Sequence, residues 1–424
     1  MDFPEIVAQT ADKIAGGLPE DLREIFKNCY FSTLATTTIP LDDGTTFVVT
    51  GDIAAMWLRD SSAQVKHYLP LVSKDEKMAR IIKGLIQRQV QYIGIDPYAN
   101  AFNREPNGHG MKNDLTEQSP WVWERKYEID SLCYPVMLAY QFWKESGKAE
   151  IFDASFRQVL QTILDLWKTE QHHGEESPYR FERRNCPATD TLANGGKGSP
   201  VAYTGMTWSG FRPSDDRCYY GYNIPSNMLT VMVLGYMEEI AEKIYGDKDF
   251  AQAAERLKNE IDAGIQKFGV VEHGEFGKIY AYETDGMGHS LLMDDANVPN
   301  LLSIPYVGYR PVEDPIYQNT RRFALSGSNP FYYGGKYAKG LGSPHIPRKN
   351  IWPIGIIMQA ITSTDSREVE ELVRMLLRTD AGKQCMHESF NPDDPSDFTR
   401  AWFAWADSLF AELMIKLSDS HDAV

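Results

Sequence analysis

Apolar side chains recur every three or four residues along most of this sequence, the spacing that places them on one face of an α-helix. The pattern is clearest over residues 75–95, where the apolar positions are Met78, Ile81, Ile82, Leu85, Val90 and Ile93. It also predicts a helix that ends near residue 68. Further helices are predicted over residues 20–34, 131–143, 150–171, 223–245, 247–268, 296–302, 315–324, 351–362, 366–379 and 400–417.

Strands are few in this pattern, and long polar loops precede every second helix. Residues 45–50 predict a short strand, and residues 270–283 predict a β-hairpin with glycines near its turn. The loops begin near residues 52, 121, 207, 294, 342 and 386. Six helical hairpins would close into an all-α toroid, a single domain over residues 1–424, with the loops on one rim. A stacked helical solenoid is the alternative, although no repeat of fixed length supports it.

Composition narrows the classes of function. A net charge of −16 argues against nucleic acid or an anionic membrane surface as a partner, because both require a basic face. No run approaches the roughly 18 apolar residues of a membrane span. The five cysteines are scattered without a CxxC pair, and the N-terminus does not resemble a signal peptide. We therefore expect a cytoplasmic protein without structural zinc.

Residues 208–217 concentrate the groups that bind polar ligands, in a segment where Gly210 and Pro213 disfavour a regular helix. The stretch contains two aromatic rings, two guanidinium groups and two neighbouring carboxylates: Trp208, Phe211, Arg212, Arg217, Asp215 and Asp216. A ring can stack on the C–H face of a sugar while charged groups bond its hydroxyls. The alternative is a surface turn in which Asp215 caps the next helix.

Several chemistries lack their sequence signatures. No HExxH motif or EF-hand loop supports a metal site, although calcium at paired aspartates stays open. The glycine-rich residues 195–199 lack the other features of a phosphate loop, and no GxSxG elbow is present. We therefore expect neither a metal nor a cofactor.

Paired carboxylates remain as the candidate chemistry. Cleavage of a glycosidic bond needs one acid to protonate the leaving oxygen and a second carboxylate to activate water. Asp215 and Glu388 lie in loops before alternate helices, so a toroid would bring both to the same rim. Asp216 would raise the pKa of Asp215, whereas Arg212 and Arg217 would lower it, so the direction stays open. Each acid, taken singly, could instead be an ordinary cap or ion-pair partner.

Four segments together resemble glycoside hydrolase family 125, the exo-acting α-1,6-mannosidases. They are GDIAAMWLRDS at 51–61, WERKYEIDSLCY at 123–134, GMTWSGFRPSDD at 205–216 and MHESF at 386–390. The resemblance extends over nearly the whole chain. It implies an (α/α)6 barrel and metal-independent hydrolysis that inverts the anomeric configuration.

The resemblance also implies roles for individual residues. Asp215 is similar to the general acid and Glu388 to the general base, with Asp216 kept as the alternative acid. Arg59 and Asp60 resemble residues that hold the terminal mannose, and His345 is expected in the same pocket. Weaker candidates for substrate binding are Trp57, Glu128, Asp130, Trp208 and Arg212. For two of these a structural role stays open, Trp57 in the core and Asp130 as a helix cap.

The sequence therefore predicts a monomeric enzyme that releases non-reducing terminal mannose from α-1,6-linked manno-oligosaccharides, such as N-glycan fragments. Two other hypotheses remain. One is a glycan-binding barrel without catalysis, which would be indifferent to the loss of Glu388. The other is a phosphorylase of similar fold, which would form product only when phosphate is supplied.

Overall fold

The computed structural model of the protein describes residues 4–421. Within that range the α-helices are α1 (Glu5–Gly17), α2 (Glu20–Ser32), α3 (Leu58–Ala63), α4 (Glu76–Ile95), α5 (Ile129–Ser146), α6 (Ala154–Gln171), α7 (His173–Glu176), α8 (Ala193–Gly196), α9 (Ile224–Ile240), α10 (Lys248–Gly264), α11 (Pro315–Ala324), α12 (Pro353–Ile361), α13 (Ser366–Arg378) and α14 (Ala404–His421).

The strands are short, and each belongs to a sheet of two or three strands. Their bounds are β1 (Thr38–Pro40), β2 (Thr46–Val48), β3 (Met56–Trp57), β4 (Ala101–Phe102), β5 (Val122–Glu124), β6 (Tyr222–Asn223), β7 (Val270–His273), β8 (Gly277–Tyr280), β9 (Glu283–Thr284), β10 (Ser290–Leu291), β11 (Tyr332–Gly334), β12 (Lys339–Leu341), β13 (Ser389–Asn391) and β14 (Asp394–Thr399).

Alternate helices form the inner wall of a ring. α3 packs against α5, α5 against α9, α12 against α14, and α14 against α3. The intervening helices cover the outside, with α4 on α5, α10 on α9, α13 on α12 and α2 on α14. This alternation of inner and outer helices is an (α/α)6 barrel, so the predicted fold class is confirmed.

The sixth position of the inner wall is filled by an irregular segment, residues 294–309. The hydroxyl of Tyr134 in α5 donates a hydrogen bond of 3.1 Å to the carbonyl oxygen of Val298. On the other side, Ala296 lies against Gly355 in α12. Gly308 of the segment lies near Met232 in α9, so the segment fills the place between α9 and α12 that a sixth inner helix would take.

The helix predicted over residues 296–302 is wrong, because this segment forms consecutive bends that lead into a turn. Pro299 has no backbone N–H and so interrupts a helical hydrogen-bond ladder. The buried carboxylate of Asp294 instead accepts hydrogen bonds from the backbone N–H groups of Leu301 and Leu302, at 2.8 and 3.2 Å. Side-chain oxygens thus replace the carbonyl acceptors that a helix would have supplied.

Local signals explain where six of the helices begin. Several helices follow an aspartate or asparagine whose side chain accepts a hydrogen bond from a backbone N–H of the first turn. These caps are Asp75, Asp153, Asn223, Asp247, Asp314 and Asp365. The predicted starts at residues 315 and 366, each directly after such a cap, are confirmed.

The predicted hairpin is confirmed, whereas two helices near the ends of the chain differ from the prediction. The hairpin over residues 270–283 is confirmed as β7 and β8, which pair antiparallel. α1 was not predicted, although Val7, Ala11 and Ile14 bury one face of it. The last helix begins at Ala404 instead of residue 400, because β14 pairs with β13 through Phe390 and Phe398. That hairpin places Glu388 immediately before its first strand.

One cluster of buried apolar side chains extends from Val7 in α1 to Met414 in α14. Elements from both ends of the chain therefore share a core. Within residues 4–421, none of the helices combines the length and apolar character needed to cross a bilayer.

Gly51 tests the close contact between the loop that begins near residue 52 and the segment around Trp402. Its φ is +139°, and a Cβ added there would lie 2.2 Å from the carbonyl oxygen of Trp402. We expect Gly51→Ala to lower the free energy of unfolding by roughly 2–3 kcal/mol, measured by urea denaturation. Gly94→Ala is the control, since a Cβ at that helical position meets nothing within 4 Å. It should raise stability by about 0.5–1 kcal/mol; equal stability of the two variants would contradict the argument.

Candidate active site

A cavity of about 160 Å³ lies where the loops before the inner helices meet. Every one of the six predicted loop regions, or the first turn after it, contributes to its wall. The lining includes Trp57, Arg59, Asp60, Glu124, Lys126, Asp215, Asn297, His345, Trp352, Glu388 and Arg400. The prediction that the loops converge on one rim is therefore confirmed. The cavity is smaller than the roughly 300–1,000 Å³ of pockets for drug-sized ligands, so it suits one small polar unit.

Asp215 lies on the cavity wall in a strained backbone conformation. Its φ of 64° is left-handed, which is uncommon for a residue other than glycine and occurs often at functional sites. Arg59 Nη2 lies 3.3 Å from its Oδ1, and Lys126 Nζ donates to its backbone carbonyl oxygen at 2.7 Å. Burial acts to raise the pKa of the carboxyl group, but a hydrogen bond with Glu128 and the charges of Arg59 and Lys126 hold that pKa below its usual range.

Asp216 does not line the cavity. Its Oδ2 accepts a hydrogen bond of 3.0 Å from the hydroxyl of Ser214, and its Oδ1 lies 4.0 Å from His345 Nδ1. Burial raises the pKa of this carboxyl group, and His345 opposes the shift. Of the two neighbouring aspartates, Asp215 is the one that lines the cavity.

Glu388 reaches the same cavity from the loop before β13. Its Oε1 accepts a hydrogen bond of 3.2 Å from Arg400 Nη1. Arg400 in turn contacts Asp52 at 2.7 Å and the hydroxyl of Thr50 at 3.0 Å, so its guanidinium is held from the first rim loop. The carboxylate of Glu388 is therefore fixed by an arginine that the sequence did not single out.

Arg59 and Asp60 are both buried in the first turn of α3 and both line the cavity. Arg59 Nε lies 3.4 Å from Asp60 Oδ2, so these sequence neighbours form an ion pair despite their adjacent positions. Burial raises the pKa of Asp60 to about 6, with Arg59 acting in the opposite direction. The charge of Asp60 therefore depends on pH near neutrality.

Glu128 and Asp130 differ from the expectation that they contact substrate directly. Their side chains are 0% exposed and lie behind Arg59, whose Nη1 is 2.7 Å from Glu128 Oε2 and 3.1 Å from Asp130 Oδ2. Neither lines the cavity. Their contact with the cavity is indirect, because they act on the guanidinium that faces it.

Trp208 and Arg212 also lie outside the cavity, contrary to the sequence expectation. The indole of Trp208 is buried and stacks on His173 with ring centroids 3.4 Å apart. Arg212 is fully buried, and its Nε donates to Glu283 Oε1 at 2.5 Å. Both side chains point into the packing behind the loop, so they shape the Asp215 segment without reaching a ligand.

The remaining predicted residues do line the cavity. Trp57 is 5% exposed, so it is part of the packing and part of the wall at once. The side chain of His345 is 36% exposed and is open to solvent at the cavity.

Sequence reasoning missed Trp352, Arg400 and Trp405, which complete the wall. Trp352 and Trp405 lie within predicted helices and follow the apolar spacing, so their residue type alone gave no functional signal. Arg400 was assigned to a helix, and only the β13–β14 hairpin brings it back to Glu388. Among residues 4–421, no group of three or more histidine, cysteine, aspartate or glutamate side chains is placed to hold a metal ion.

Comparison with known proteins decides what kind of enzyme this is. Residues 19–415 match the family described as metal-independent alpha-mannosidase (GH125). The chain belongs to this family. It is therefore a glycoside hydrolase with metal-independent α-mannosidase activity, and the GH125 assignment agrees with a cavity lined by carboxylates.

Individual relatives support the GH125 assignment. The chain is 39% identical to the meiotically up-regulated gene 157 protein of Schizosaccharomyces pombe over 434 residues, 97% of this chain and 85% of that protein. It is also similar to a metal-independent α-mannosidase of Streptococcus pneumoniae, solved as a non-productive complex with α-1,6-mannobiose. That comparison has a TM-score of 0.97 and 46% identity, covering 98% of this chain and 99% of the other. A glucoamylase from Saccharomycopsis fibuligera, at 11% identity and a TM-score of 0.62 over 98% and 96% of the two chains, shares the fold alone.

The loop that carries Glu388 is anchored by a buried acid on α14. Asp407 Oδ1 accepts a hydrogen bond from the backbone N–H of Met386 at 2.9 Å, and its Oδ2 accepts one from the hydroxyl of Ser32 at 2.7 Å. Burial raises the pKa of Asp407 from 3.8 to about 6, with these hydrogen bonds opposing the shift. The anchor therefore joins α2, α14 and the loop that carries Glu388 through one titratable group.

This anchor predicts a pH dependence of stability. Because the pKa of Asp407 is higher in the folded protein, the folded state binds more protons between about pH 4 and 6, and its stability falls as pH rises through that window. The wild type should lose roughly 3 kcal/mol from this group, and Asp407→Asn should lack that loss. Urea denaturation at pH 4 and pH 7 measures it. Ser32→Ala is the control that retains the pH dependence; a pH-independent stability difference between wild type and Asp407→Asn would contradict the prediction.

Proposed function

We propose that the protein removes non-reducing terminal mannose from α-1,6-linked mannosides with inversion at the anomeric carbon. The observation that supports this most directly is the meeting of Asp215 and Glu388 in one cavity of about 160 Å³. The pneumococcal relative was solved with α-1,6-mannobiose, which supports the choice of linkage. A volume of this size favours a single terminal sugar over an internal segment of a chain.

In the proposed reaction, Asp215 donates a proton to the glycosidic oxygen as the bond to the anomeric carbon breaks. Glu388 accepts a proton from the water that attacks the same carbon from the opposite face. The products are mannose and the shortened mannoside. This arrangement requires the two carboxyl groups to be roughly 6.5–9.5 Å apart, so that a water molecule fits between Glu388 and the sugar.

The supporting residues follow from their contacts. Arg400 holds Glu388 Oε1 at 3.2 Å, which orients the carboxylate and leaves its Oε2 to face the water. Arg59 and Asp60 supply donors and an acceptor for the hydroxyls of the terminal mannose. Trp57 and His345 would then contact the sugar from the wall.

The deciding assay is hydrolysis of α-1,6-mannobiose with and without inorganic phosphate, followed by proton NMR. We expect phosphate-independent release of mannose that first accumulates as the β-anomer. A requirement for phosphate would indicate a phosphorylase, and the α-anomer as first product would exclude inversion. Cleavage restricted to α-1,2- or α-1,3-mannobiose would overturn the linkage while leaving the mechanism in place.

Substitution of the two acids tests their roles. Asp215→Asn and Glu388→Gln should each lower kcat on α-1,6-mannobiose by about 10²–10⁴-fold, because each removes one proton-transfer group. Both variants should still bind mannose, measured by isothermal titration calorimetry, since neither change removes a donor from the cavity. Asp216→Asn is the matched control and should retain far more activity than Asp215→Asn; the reverse order would transfer the acid role to Asp216.

Three further expectations stay predictions. We propose N-glycan fragments as the natural substrate, a monomer as the active form and the cytoplasm as its location. Size-exclusion chromatography with light scattering would test the second of these directly.

A further inference from the structure

The guanidinium of Arg59 is surrounded by four carboxyl groups. Its Nη1 contacts Glu128 at 2.7 Å and Asp130 at 3.1 Å, its Nη2 contacts Asp215 at 3.3 Å, and its Nε lies 3.4 Å from Asp60. The side chains of Glu128 and Asp130 are fully buried, and that of Asp60 is 6% exposed. One positive charge therefore faces four carboxyl groups, three of which water scarcely reaches.

Lys126, whose charge also acts on Asp215, does not balance this excess. Lys126 Nζ donates to the backbone carbonyl oxygen of Asp215, while its charge is paired with Asp190 at 2.5 Å and faces Glu124 at 3.7 Å. Burying several unpaired carboxylates costs several kcal/mol each, so such groups take up protons instead. The cluster around Arg59 must hold at least one proton at neutral pH.

The geometry indicates which pair holds it. Glu128 Oε2 and Asp215 Oδ1 lie 2.7 and 3.3 Å from the two terminal nitrogens of the same guanidinium, so the two carboxyl groups are neighbours, and a proton on either one can bridge to the other. Glu128 is completely buried, whereas the side chain of Asp215 is 20% exposed on the cavity wall. Negative charge is better solvated on Asp215, so in the empty cavity the proton belongs to Glu128.

The charged and titratable groups around Glu128 agree with this assignment. Burial raises the pKa of Glu128 most; Arg59 lowers it, and the neighbouring charges of Asp215 and Asp130 raise it again. Asn100 Nδ2 donates to both Glu128 and Glu124, and Tyr179 adds a weakly acidic hydroxyl nearby.

We propose that Glu128 and Asp215 share one proton, which Glu128 holds in the empty enzyme and passes to Asp215 when the sugar fills the cavity. This inference rests on the proposed hydrolysis. Glu128 is a positioning residue here, because it lies behind Arg59 and acts through Asp215. The sugar displaces water from Asp215, so its ionised form loses solvation. Glu128 can take the negative charge because Arg59 Nη1 and the hydroxyl of Ser131 donate to it at 2.7 and 2.9 Å.

The protons balance over one turnover. The shared proton leaves Asp215 for the glycosidic oxygen, and the attacking water gives a proton to Glu388. Until the pair is reprotonated, both Glu128 and Asp215 are ionised, and Arg59 contacts both carboxylates. After the products leave, Glu388 releases its proton to solvent, and the pair takes one proton back from solvent.

The kinetic test uses Glu128→Gln with two substrates. Glutamine keeps the size and a donor toward Asp215 but stores no acidic proton. We expect kcat on α-1,6-mannobiose to fall about 100-fold or more, because the general acid stays ionised. On 2,4-dinitrophenyl α-mannoside, whose leaving group needs no proton, the loss should stay below about threefold. The alkaline limb of kcat/KM on mannobiose should also move to lower pH.

Asp130→Asn is the matched control, since Asp130 contacts the same Arg59 nitrogen. Its losses on the two substrates should agree within about threefold, because Glu128 and Asp215 both remain to share the proton. An equal loss on both substrates for Glu128→Gln would reduce Glu128 to a structural role, and no loss on mannobiose would also overturn the proposal.

Infrared difference spectroscopy provides a readout without turnover. At pH 7.5 we expect wild type minus Glu128→Gln to show the C=O stretch of a protonated carboxyl group, and wild type minus Asp215→Asn to show it as well, because the proton belongs to the pair. A band that survives in Asp215→Asn, or that is absent from both differences, would overturn proton sharing. If wild type cleaved neither substrate, the proposed function would fail, and the infrared result would still decide whether the proton is shared.

Discussion

The active site depends on one buried cation. Arg59 is held on three of its nitrogens by carboxyl groups from α3, from the start of α5 and from the loop before β6. Removing one partner from such a network leaves other charges buried and unpaired, which destabilises far more than a surface ion pair does. The loops that bring Asp60 and Asp215 to the cavity are therefore mutually dependent through a single guanidinium. Glu388 has an equivalent support in Arg400, anchored on Asp52 and Thr50.

The sequence predicted the barrel wherever local signals and tertiary packing agree. α11 was predicted to the residue, because Asp314 caps its first turn and Pro315 favours that position. Residues 296–302 show the opposite case. Their apolar side chains have helical spacing, but Asp294 and Pro299 divert the backbone hydrogen bonds, and the buried interior between α9 and α12 stabilises the turns. Periodicity reports which residues are buried, and it does not report how their backbone groups are satisfied.

The candidate site was predicted to a similar extent and for similar reasons. Asp215 and Glu388 were identified from motifs and from the placement of loops before inner helices, and both line the cavity. Trp208 and Arg212 have the same residue types as ligand-binding side chains, but residue type does not fix the direction of a side chain. Arg400 was missed because a hairpin of irregular register brings it back to Glu388. The contact between Arg400 and Glu388 across this hairpin does not follow from the spacing of apolar residues in the sequence.

The energetically unfavourable features of this site lie where the barrel fixes the positions of the surrounding side chains. Asp215 has a left-handed backbone, and Glu128 and Asp130 are ionisable groups without exposure to water. Each feature is unfavourable alone, and each persists because the surrounding barrel fixes the positions of its partners. An apolar replacement of the cluster would be a more stable core, yet it would abolish the difference in environment between Asp215 and Glu388. In the proposed reaction, that difference is what allows two chemically similar carboxyl groups to act as acid and base in one cavity.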